Sequence, residues 1–316
     1  MRTVCLCLLL VVIAACEPRP EAPPEAPAPE AISLLGEPLY VPDRAPEQQA
    51  ALEAALAEAR ARYEADPDDV ENIIWLGRRT AYLWRYREAI DIFSEGIAKY
   101  PDDPRLYRHR GHRYLSIRDF DRAVADLSHA ARLIEGTPDE VEPDGQPNAA
   151  GIPTSTLHTN IYYHLGLAHY LRGDFEQALD AYRRCLAAAT NDDMYVATAD
   201  WLYMTLRRLG RTDEAAAVLE PITEDMALLE NHAYHRRLLM YKGLLPPEAL
   251  LEVTDEGDAD LTFATQGYGV GNWYLYNGQP ERARAIFERV LATGYWPAFG
   301  YMAAEADLRR MAGAGS

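Results

Sequence analysis

Arginine, histidine, asparagine and tyrosine recur along this chain in stretches whose apolar spacing predicts helices. A guanidinium binds a carboxylate through paired N–H donors, an asparagine amide bonds peptide backbone, and a tyrosine adds rigid contact area. Together such side chains could recognise an acidic or carboxylate-terminated peptide. The candidate residues are Arg78, Arg105, Arg108, His112, Asn160, Tyr163, Arg207, Tyr268 and Asn272. The alternative interpretation is that the arginines only pair with Asp and Glu of adjacent turns.

The histidines raise the question of a metal centre, because His109 and His112, and His232 and His235, are each three residues apart. Residues at that spacing share a helical face, but a metal site needs more ligands and little positive charge nearby. The first pair stands in RLYRHRGHRY, where four arginines would repel a cation. The sequence therefore predicts no metal and no other cofactor.

The acidic pairs of the chain predict helix caps rather than catalysis. Asp68-Asp69, Asp102-Asp103 and Asp192-Asp193 stand where turns are expected, and aspartate is a preferred N-cap residue. A glycine-rich phosphate loop, a nucleophile elbow and a cysteine–histidine arrangement are all absent from the sequence. We therefore expect that the protein is not an enzyme.

The helices that would position the candidate residues follow a regular repeat. Four glycines are each followed by an alanine twelve residues later and by a large apolar residue four further on. These sets are Gly77/Ala89/Phe93, Gly111/Ala123/Leu127, Gly166/Ala178/Tyr182 and Gly271/Ala283/Phe287. The alanines Ala89 and Ala123 are 34 residues apart, as are Ala249 and Ala283. Small residues let the two helices of a hairpin approach closely, and the large residue fills the gap to the next hairpin.

A 34-residue period of helix-turn-helix units resembles the tetratricopeptide repeat. The residues that carry this resemblance are Leu76-Gly77 with Ala89, Phe93 and Pro101, Gly111 and Tyr114 with Ala123, and Leu165-Gly166 with Ala178. The resemblance covers about residues 70 to 297 and implies an all-α, right-handed solenoid of about six units. Capping helices are expected over 46–65 and after Pro297, the second with polar residues outward, so that the solenoid spans 46–312. The fifth unit, with Arg237 and Pro246-Pro247, is expected to pack less regularly.

In this family the first helix of each unit lines the concave surface, so the resemblance places the candidate residues there. It implies a scaffold or adaptor that binds a protein or peptide, with an acidic or carboxylate-terminated segment as the partner that the arginines favour. A different class of function is a surface lipoprotein that captures glycan or another polymer in a groove lined by tyrosine and arginine.

The first residues predict an address in the bacterial cell envelope. Residues 1–15 have the short charged start and ten-residue apolar run of a signal peptide, too short to span a bilayer. Ile13-Ala14-Ala15-Cys16 resembles a lipobox, which implies lipidation of Cys16, and an ordinary signal peptide is the alternative. Residues 16–45 are predicted to be an extended, Pro/Glu/Ala-rich tether. We expect a lipid-anchored protein, periplasmic or on the cell surface, that meets the membrane only through this lipid.

The formal charge of −18 argues against nucleic acid as a partner. The acidic residues are unevenly spread and are dense in an insertion at 136–156, GTPDEVEPDGQPNAAGIPTST, which lengthens the second repeat interval by 21 residues. A loop of this length in a compact array is functional or disordered. It is interpreted either as a flap that folds over the basic concave face until a partner displaces it, or as a solvated excursion.

Overall fold

The computed structural model describes residues 28–253 and 259–313, and in this part the chain forms thirteen α-helices, one 3-10 turn and one short β-hairpin. The predicted signal peptide 1–15, Cys16 and the first part of the predicted tether lie outside the described residues. No helix in the described ranges is long and apolar enough to cross a bilayer. The helices are α1 (Pro46–Ala65), α2 (Val70–Tyr82), α3 (Tyr86–Lys99), α4 (Pro104–Ser116), α5 (Phe120–Leu133), α6 (Leu157–Arg172), α7 (Phe175–Ala188), α8 (Asp192–Arg208), α9 (Thr212–Leu219), α10 (His232–Tyr241), α11 (Ala259–Tyr276), α12 (Pro280–Ala292) and α13 (Phe299–Gly313).

The helices pair into antiparallel hairpins that stack in chain order, so the predicted all-α solenoid of tetratricopeptide type is confirmed. The repeated glycines have the predicted use. A Cβ atom on Gly111 would lie 2.7 Å from the Leu127 side chain, and one on Gly166 would lie 2.7 Å from the Tyr182 ring. The large residue of each unit therefore packs directly on the glycine of the same unit, and only a residue without a side chain allows this contact.

The fifth unit departs from the pattern, because a 3-10 turn at Pro247–Leu250 replaces its second helix. Arg237, at the expected small position of α10, is completely buried and lies 2.9 Å from the Asp200 carboxylate of α8. Its guanidinium packs against Gly269 of α11, where a Cβ atom would collide with it. An ion pair and a glycine on the neighbouring helix thus accommodate a large residue where other units have a small one.

The C-terminal helix α13 does not turn polar residues outward, and this prediction is wrong. Every residue from Gly300 to Leu308 is buried, including Glu305 and Asp307. The helix packs on α11 and α12 as a cap would, but it also lies against α6 across the inside of the solenoid. Gly300 allows the close approach, because a Cβ atom there would collide with the Ala264 carbonyl of α11. The solenoid therefore curves far enough for its end to fill part of its own concave face.

The predicted tether also ends earlier than residue 45, since residues 28–45 dock on the solenoid. They include a β-hairpin of β1 (Ala31–Ile32) and β2 (Pro38–Leu39), with Ala31 and Leu39 buried. The Glu30 carboxylate accepts hydrogen bonds from the Tyr86 and Arg87 amides, 3.1 and 3.2 Å away, at the start of α3. The apolar residues among the prolines and acids supply a surface that packs, which the composition of the segment had obscured.

Two hairpin turns bind the ends of the solenoid together. A residue with a positive φ follows the first helix of each unit within two positions, and in the first two units this residue is Trp84 (φ 61°) and Arg118 (φ 68°) rather than glycine. Such a backbone is unfavourable for a residue with a large side chain. Both side chains are held by the chain ends: Trp84 packs edge-on against Trp296, and Arg118 forms a buried ion pair of 2.8 Å with Glu305 of α13.

Candidate binding cavity

Helices α2, α4 and α6 enclose, together with the insertion, a cavity of about 340 Å³. We call it the basic cavity, because Arg78, Arg108 and Arg113 line it together with His109 and His112. The three arginines lie on the first helices of the first two units, which the repeat turns toward the inside of the solenoid. The insertion contributes Glu142, Pro143 and Asp144 to the lining.

The three guanidinium groups of the basic cavity are not equally compensated. Arg108 lies 3.0 Å from the Glu142 carboxylate, and both side chains are about nine-tenths buried. Arg78 donates a hydrogen bond of 2.8 Å to the Pro143 carbonyl and stacks on Trp75. Arg113 lies over the Tyr86 ring, and among the described residues no carboxylate comes within ion-pair distance of it. Three cations therefore share one buried carboxylate.

The other two carboxylates of the lining, Asp144 and Glu230, are exposed, and burial together with the nearby arginines changes the pKa values of the cavity residues. Burial, with Arg108 and Arg78 nearby, lowers the pKa of Arg113 to about 10, so it stays charged at neutral pH. Burial and the neighbouring arginines hold the pKa values of His109, His112 and His164 well below the usual 6.5. The rings of His112 and His164 are 4.2 Å apart between centroids, a distance that disfavours protonation of both imidazoles. The histidines are therefore neutral at pH 7 and the arginines carry the charge.

The insertion crosses the opening of this cavity, and we call residues 139–156 the strap. Its two ends meet in an antiparallel bridge between Val141 and Thr156, and Thr156 also caps α6. At its far side the Asn148 amide donates to the Glu230 carboxylate over 3.1 Å. The side-chain amide of Asn191, the residue that caps α8, donates to the Thr154 carbonyl over 2.8 Å. The strap therefore spans from the first repeat to the fifth.

A larger cleft of about 1030 Å³ continues from the basic cavity. The two share His112, Arg113, Gln146 and Glu230 in their linings. Aromatic residues of four helices and of the turn between α2 and α3 line the cleft. They include Tyr82, Trp84, Tyr86, Tyr234 and Phe299. Exposed carboxylates, among them Asp43 and Asp260, stand at its rim. The part of the concave face that stays open is therefore an aromatic cleft, and Arg113 lies where this cleft meets the basic cavity.

The structure brings four of the predicted site residues together and separates two others. Arg78, Arg108, His112 and Asn160 line the basic cavity. Arg105 instead pairs with Glu71 and with Asp103 at 2.6 Å, as the alternative interpretation of the arginines expected. Arg207 donates to Asn277 over 2.9 Å and stacks on Tyr276, away from both cavities.

The remaining predicted site residues, Tyr163, Tyr268 and Asn272, are buried, and the placement of these three on an open face is wrong. Tyr163 is 6% exposed and its hydroxyl donates to that of Tyr234, 3.1 Å away. Tyr268 and Asn272 have no exposed surface, because α13 covers them. A groove lined by these tyrosines, on which the glycan hypothesis depended, is therefore filled by the protein itself.

Sequence reasoning missed Arg113, His109 and Glu142. The helical face counted from Gly111 included Arg108 and His112 as inward-facing residues. It did not include His109 and Arg113, which follow them in the sequence and also line the cavity. Glu142 could be located only to an acidic insertion, because the contact with Arg108 joins residues far apart in sequence. Among the described residues, no three His, Cys, Asp or Glu side chains are close enough together to hold a metal ion.

The fold and cavity define an all-helical repeat protein, and comparison with known proteins identifies its class. Residues 159–192, which are α6, α7 and the turn after them, match the tetratricopeptide repeat family. The same hairpin is repeated before and after this unit, so the chain has the fold of a tetratricopeptide-repeat protein. No curated protein sequence matches the chain.

Several solved structures are similar to this chain at low sequence identity. A tetratricopeptide repeat protein from Parabacteroides merdae is 14% identical, with 81% of this chain and 93% of that chain covered and a TM-score of 0.47. YrrB, described as a protein with an unusual peptide-binding site, is 15% identical over 74% and 91%, with a TM-score of 0.42. MamA is 16% identical over 63% and 95%, with a TM-score of 0.42.

Proposed function

We propose that this protein is an interaction scaffold that binds an acidic or carboxylate-terminated segment of a protein partner in the basic cavity. The observation that carries the proposal is the incomplete pairing there, where Arg78, Arg108 and Arg113 face one buried carboxylate and only Arg108 forms an ion pair with it. A buried charge without a partner is costly, so such a site favours an anion. A partner carboxylate at Arg113 would compensate the guanidinium that the protein leaves unpaired.

The route of the partner follows from what remains open on the concave face. Helix α13 covers the inside of the later repeats, so an extended segment could not lie along the whole groove. The cleft of about 1030 Å³ leads to Arg113 past Tyr82, Tyr86 and Phe299. The partner would therefore insert one segment of a few residues, with its carboxylate leading and its apolar side chains against the aromatic walls.

We further propose that the scaffold is held at the bacterial cell envelope by a lipid on Cys16, with residues 17–27 as the tether. The support is the sequence alone, in which an apolar run and Ala14-Ala15-Cys16 precede a segment rich in Pro and Glu. Feeding an alkyne fatty acid to cells that express the full chain should label the wild type but not Cys16→Ser. Label retained in the Ser variant would contradict the anchor without affecting the cavity.

The binding proposal is tested with fluorescent peptides in three matched forms: a free C-terminal carboxylate, the same C-terminus as an amide, and an amide with one internal Glu. We expect binding of the first or third form and at least tenfold weaker binding of the neutral amide, because hydrogen bonds to a charged group contribute about 1.5–3 kcal/mol. Arg113→Gln should abolish the difference between charged and neutral peptides.

Arg105→Gln is the matched control, because Arg105 lies outside the cavity and is paired with Glu71 and Asp103. It should bind the peptides as the wild type does. Equal binding of charged and neutral peptides, or undiminished binding by a folded Arg113→Gln protein, would refute the carboxylate site.

A further inference from the structure

The strap contacts the basic cavity in the way that a bound peptide contacts a receptor. Glu142 places its carboxylate 3.0 Å from Arg108 of α4. One residue later the Pro143 carbonyl accepts from Arg78 over 2.8 Å, and two residues after that the Gly145 carbonyl accepts from Arg79 over 3.0 Å. One side-chain carboxylate and two main-chain carbonyls are thus held by three arginines on two helices.

The strap fills this place incompletely. The second carboxylate oxygen of Glu142, the Nε of Arg108 and the Nδ1 of His112 are buried, and none of them has a hydrogen-bond partner. An ideal carboxylate–guanidinium pair uses two parallel hydrogen bonds, and here one oxygen is left over. Arg113 adds a cation that the strap does not reach. A segment free to adjust its position could satisfy more of these groups than the strap does.

The strap can leave without unpacking the solenoid. The bridge between Val141 and Thr156 closes its base, so the loop beyond it could swing away as a unit. Most of the loop is exposed, and Gly145 is its buried residue, packed so closely on Tyr82 that a Cβ atom would collide with the phenol. At the far side Asn148 and Thr154 each donate a hydrogen bond to the Glu230 carboxylate, which is exposed.

We propose that residues 142–146 are a built-in occupant of the partner site, so that the partner is an extended segment with an internal acidic residue that replaces Glu142 on Arg108. This inference rests on the proposed function and specifies its ligand. The segment would present carbonyls one and three residues after the acidic residue to Arg78 and Arg79. The position that corresponds to Gly145 would need a residue as small as glycine, because Tyr82 leaves no room.

Competition with the strap sets the affinity that a partner needs. A segment tethered by a short loop acts at an effective concentration in the millimolar range. A partner must bind tightly enough to displace the strap at this effective concentration. A protein without the strap should therefore bind the same segment more tightly. The strap sequence itself is then a ligand that can be synthesised.

The experiment uses a fluorescent peptide of residues 142–147, EPDGQP, with both ends blocked. Its receptor is the full chain in which residues 142–154 are replaced by a short Gly-Ser turn, which the bridge at Val141 and Thr156 makes possible. We expect saturable binding to this strapless protein and at least tenfold weaker binding to the intact chain. The peptide with Gln in place of its Glu142 should bind at least tenfold more weakly than the natural one.

Two protein variants make the test specific. In the strapless protein, Arg108→Gln should remove binding, whereas Arg105→Gln should not. In the intact chain, Glu142→Gln should raise the affinity for the natural peptide, since the internal competitor has lost its charge. Circular dichroism and the unfolding temperature establish that each variant is folded.

The outcomes separate this inference from the proposed function. Equal binding of the Glu and Gln peptides, or no binding by a folded strapless protein, would overturn the built-in occupant. If the strapless protein still discriminated free carboxylates from amides through Arg113, the proposed function would stand alone. If neither peptide class bound to either protein, both proposals would fail.

Discussion

The first three and the last three repeats present similar residue types to the inside of the solenoid, but in the last three a carboxylate of α13 pairs with the arginine there. In the later repeats, Asp307 of α13 lies 2.5 Å from Arg208 and accepts from the Tyr268 hydroxyl over 3.0 Å. Asn272 accepts from Arg208 over 2.9 Å and donates to Tyr170 over 3.0 Å. Burial would raise the pKa of Asp307, but Arg208 and Arg310 hold it below its usual value.

In the first three repeats the corresponding place is taken by the strap, and the pairing is incomplete. Arg108, Glu142 and His112 each keep a buried polar atom without a partner, and Arg113 faces no carboxylate among the described residues. Arginines on the inside of the solenoid can thus bind the protein's own C-terminal helix, or they can remain available to a carboxylate of another chain. The difference lies in whether the protein itself supplies a carboxylate for each arginine, as Asp307 does for Arg208 and as no described residue does for Arg113.

The largest expected effect is on the stability of the last three repeats. Asp307→Asn removes a completely buried carboxylate and leaves Arg208 without its counter-ion, so we expect the free energy of unfolding to fall by about 3–5 kcal/mol. The measurement is urea unfolding followed by circular dichroism. The side chain keeps its shape in this variant, so the loss reports on charge rather than on packing.

Glu142→Gln is the matched change in the first three repeats, and it should lower the free energy of unfolding by less than about 1 kcal/mol. Glu142 and Arg108 are also buried. If the strap lifts as proposed, water reaches the guanidinium and the penalty of an unpaired buried charge is avoided. Equal losses in the two variants would contradict the comparison, because the strap would then be as structural as α13.

An intermediate effect is expected from pH. The pKa values of His109, His112 and His164 lie well below 6.5 in the folded protein because of burial and nearby arginines, so the unfolded chain binds more protons below that pH. Stability should be complete above pH 6.5 and fall as pH decreases through the folded pKa values, by up to about 1.4 kcal/mol per pH unit for each histidine. Hydrogen exchange at pH 7.5 and 5.5 should show α2, α4 and α6 loosening before α11 and α13.

The control for the pH prediction is a histidine outside the cavity. His112→Gln should reduce the dependence of the unfolding free energy on pH, whereas His232→Gln, at an exposed position, should leave it unchanged. If acid loosened the later repeats first, the charge imbalance would not be the weak point of the fold.

The repeated elements of this fold could be predicted from the sequence because they depend on contacts within one unit. Gly111 and Leu127, or Gly166 and Tyr182, meet inside a single hairpin, and their spacing alone specifies the contact. The fifth unit could be recognised as irregular from Arg237, although its ion pair with Asp200 could not, because that contact joins two units.

The closure of the solenoid could not be predicted, because it results from small rotations between units that add up along the chain. These rotations bring Glu305 to Arg118, although the two residues are far apart in sequence. A signal was nevertheless present, since Phe299 to Leu308 contains only two charged residues, fewer than a solvent-exposed cap needs. The candidate site was half predicted for the same reason: its arginines follow the repeat, whereas the strap and α13 meet them only through long-range closure.

The smallest expected effect is the sharpest test of the comparison. Arg113→Met should leave the free energy of unfolding within about 1 kcal/mol of the wild type or raise it. Arg208→Met should lower the free energy of unfolding by several times that amount. Replacing an unpaired cation in a partly dry cavity removes a desolvation penalty. The cation–π contact with Tyr86 at 5.2 Å is lost, but a thioether on the same ring offsets about 0.5–1 kcal/mol of it. Urea unfolding measures both variants, and Arg113→Met should at the same time lose charge-dependent peptide binding. A loss of more than about 2 kcal/mol would mean that Arg113 supports the fold, and the contrast between a paired and a waiting half would then disappear.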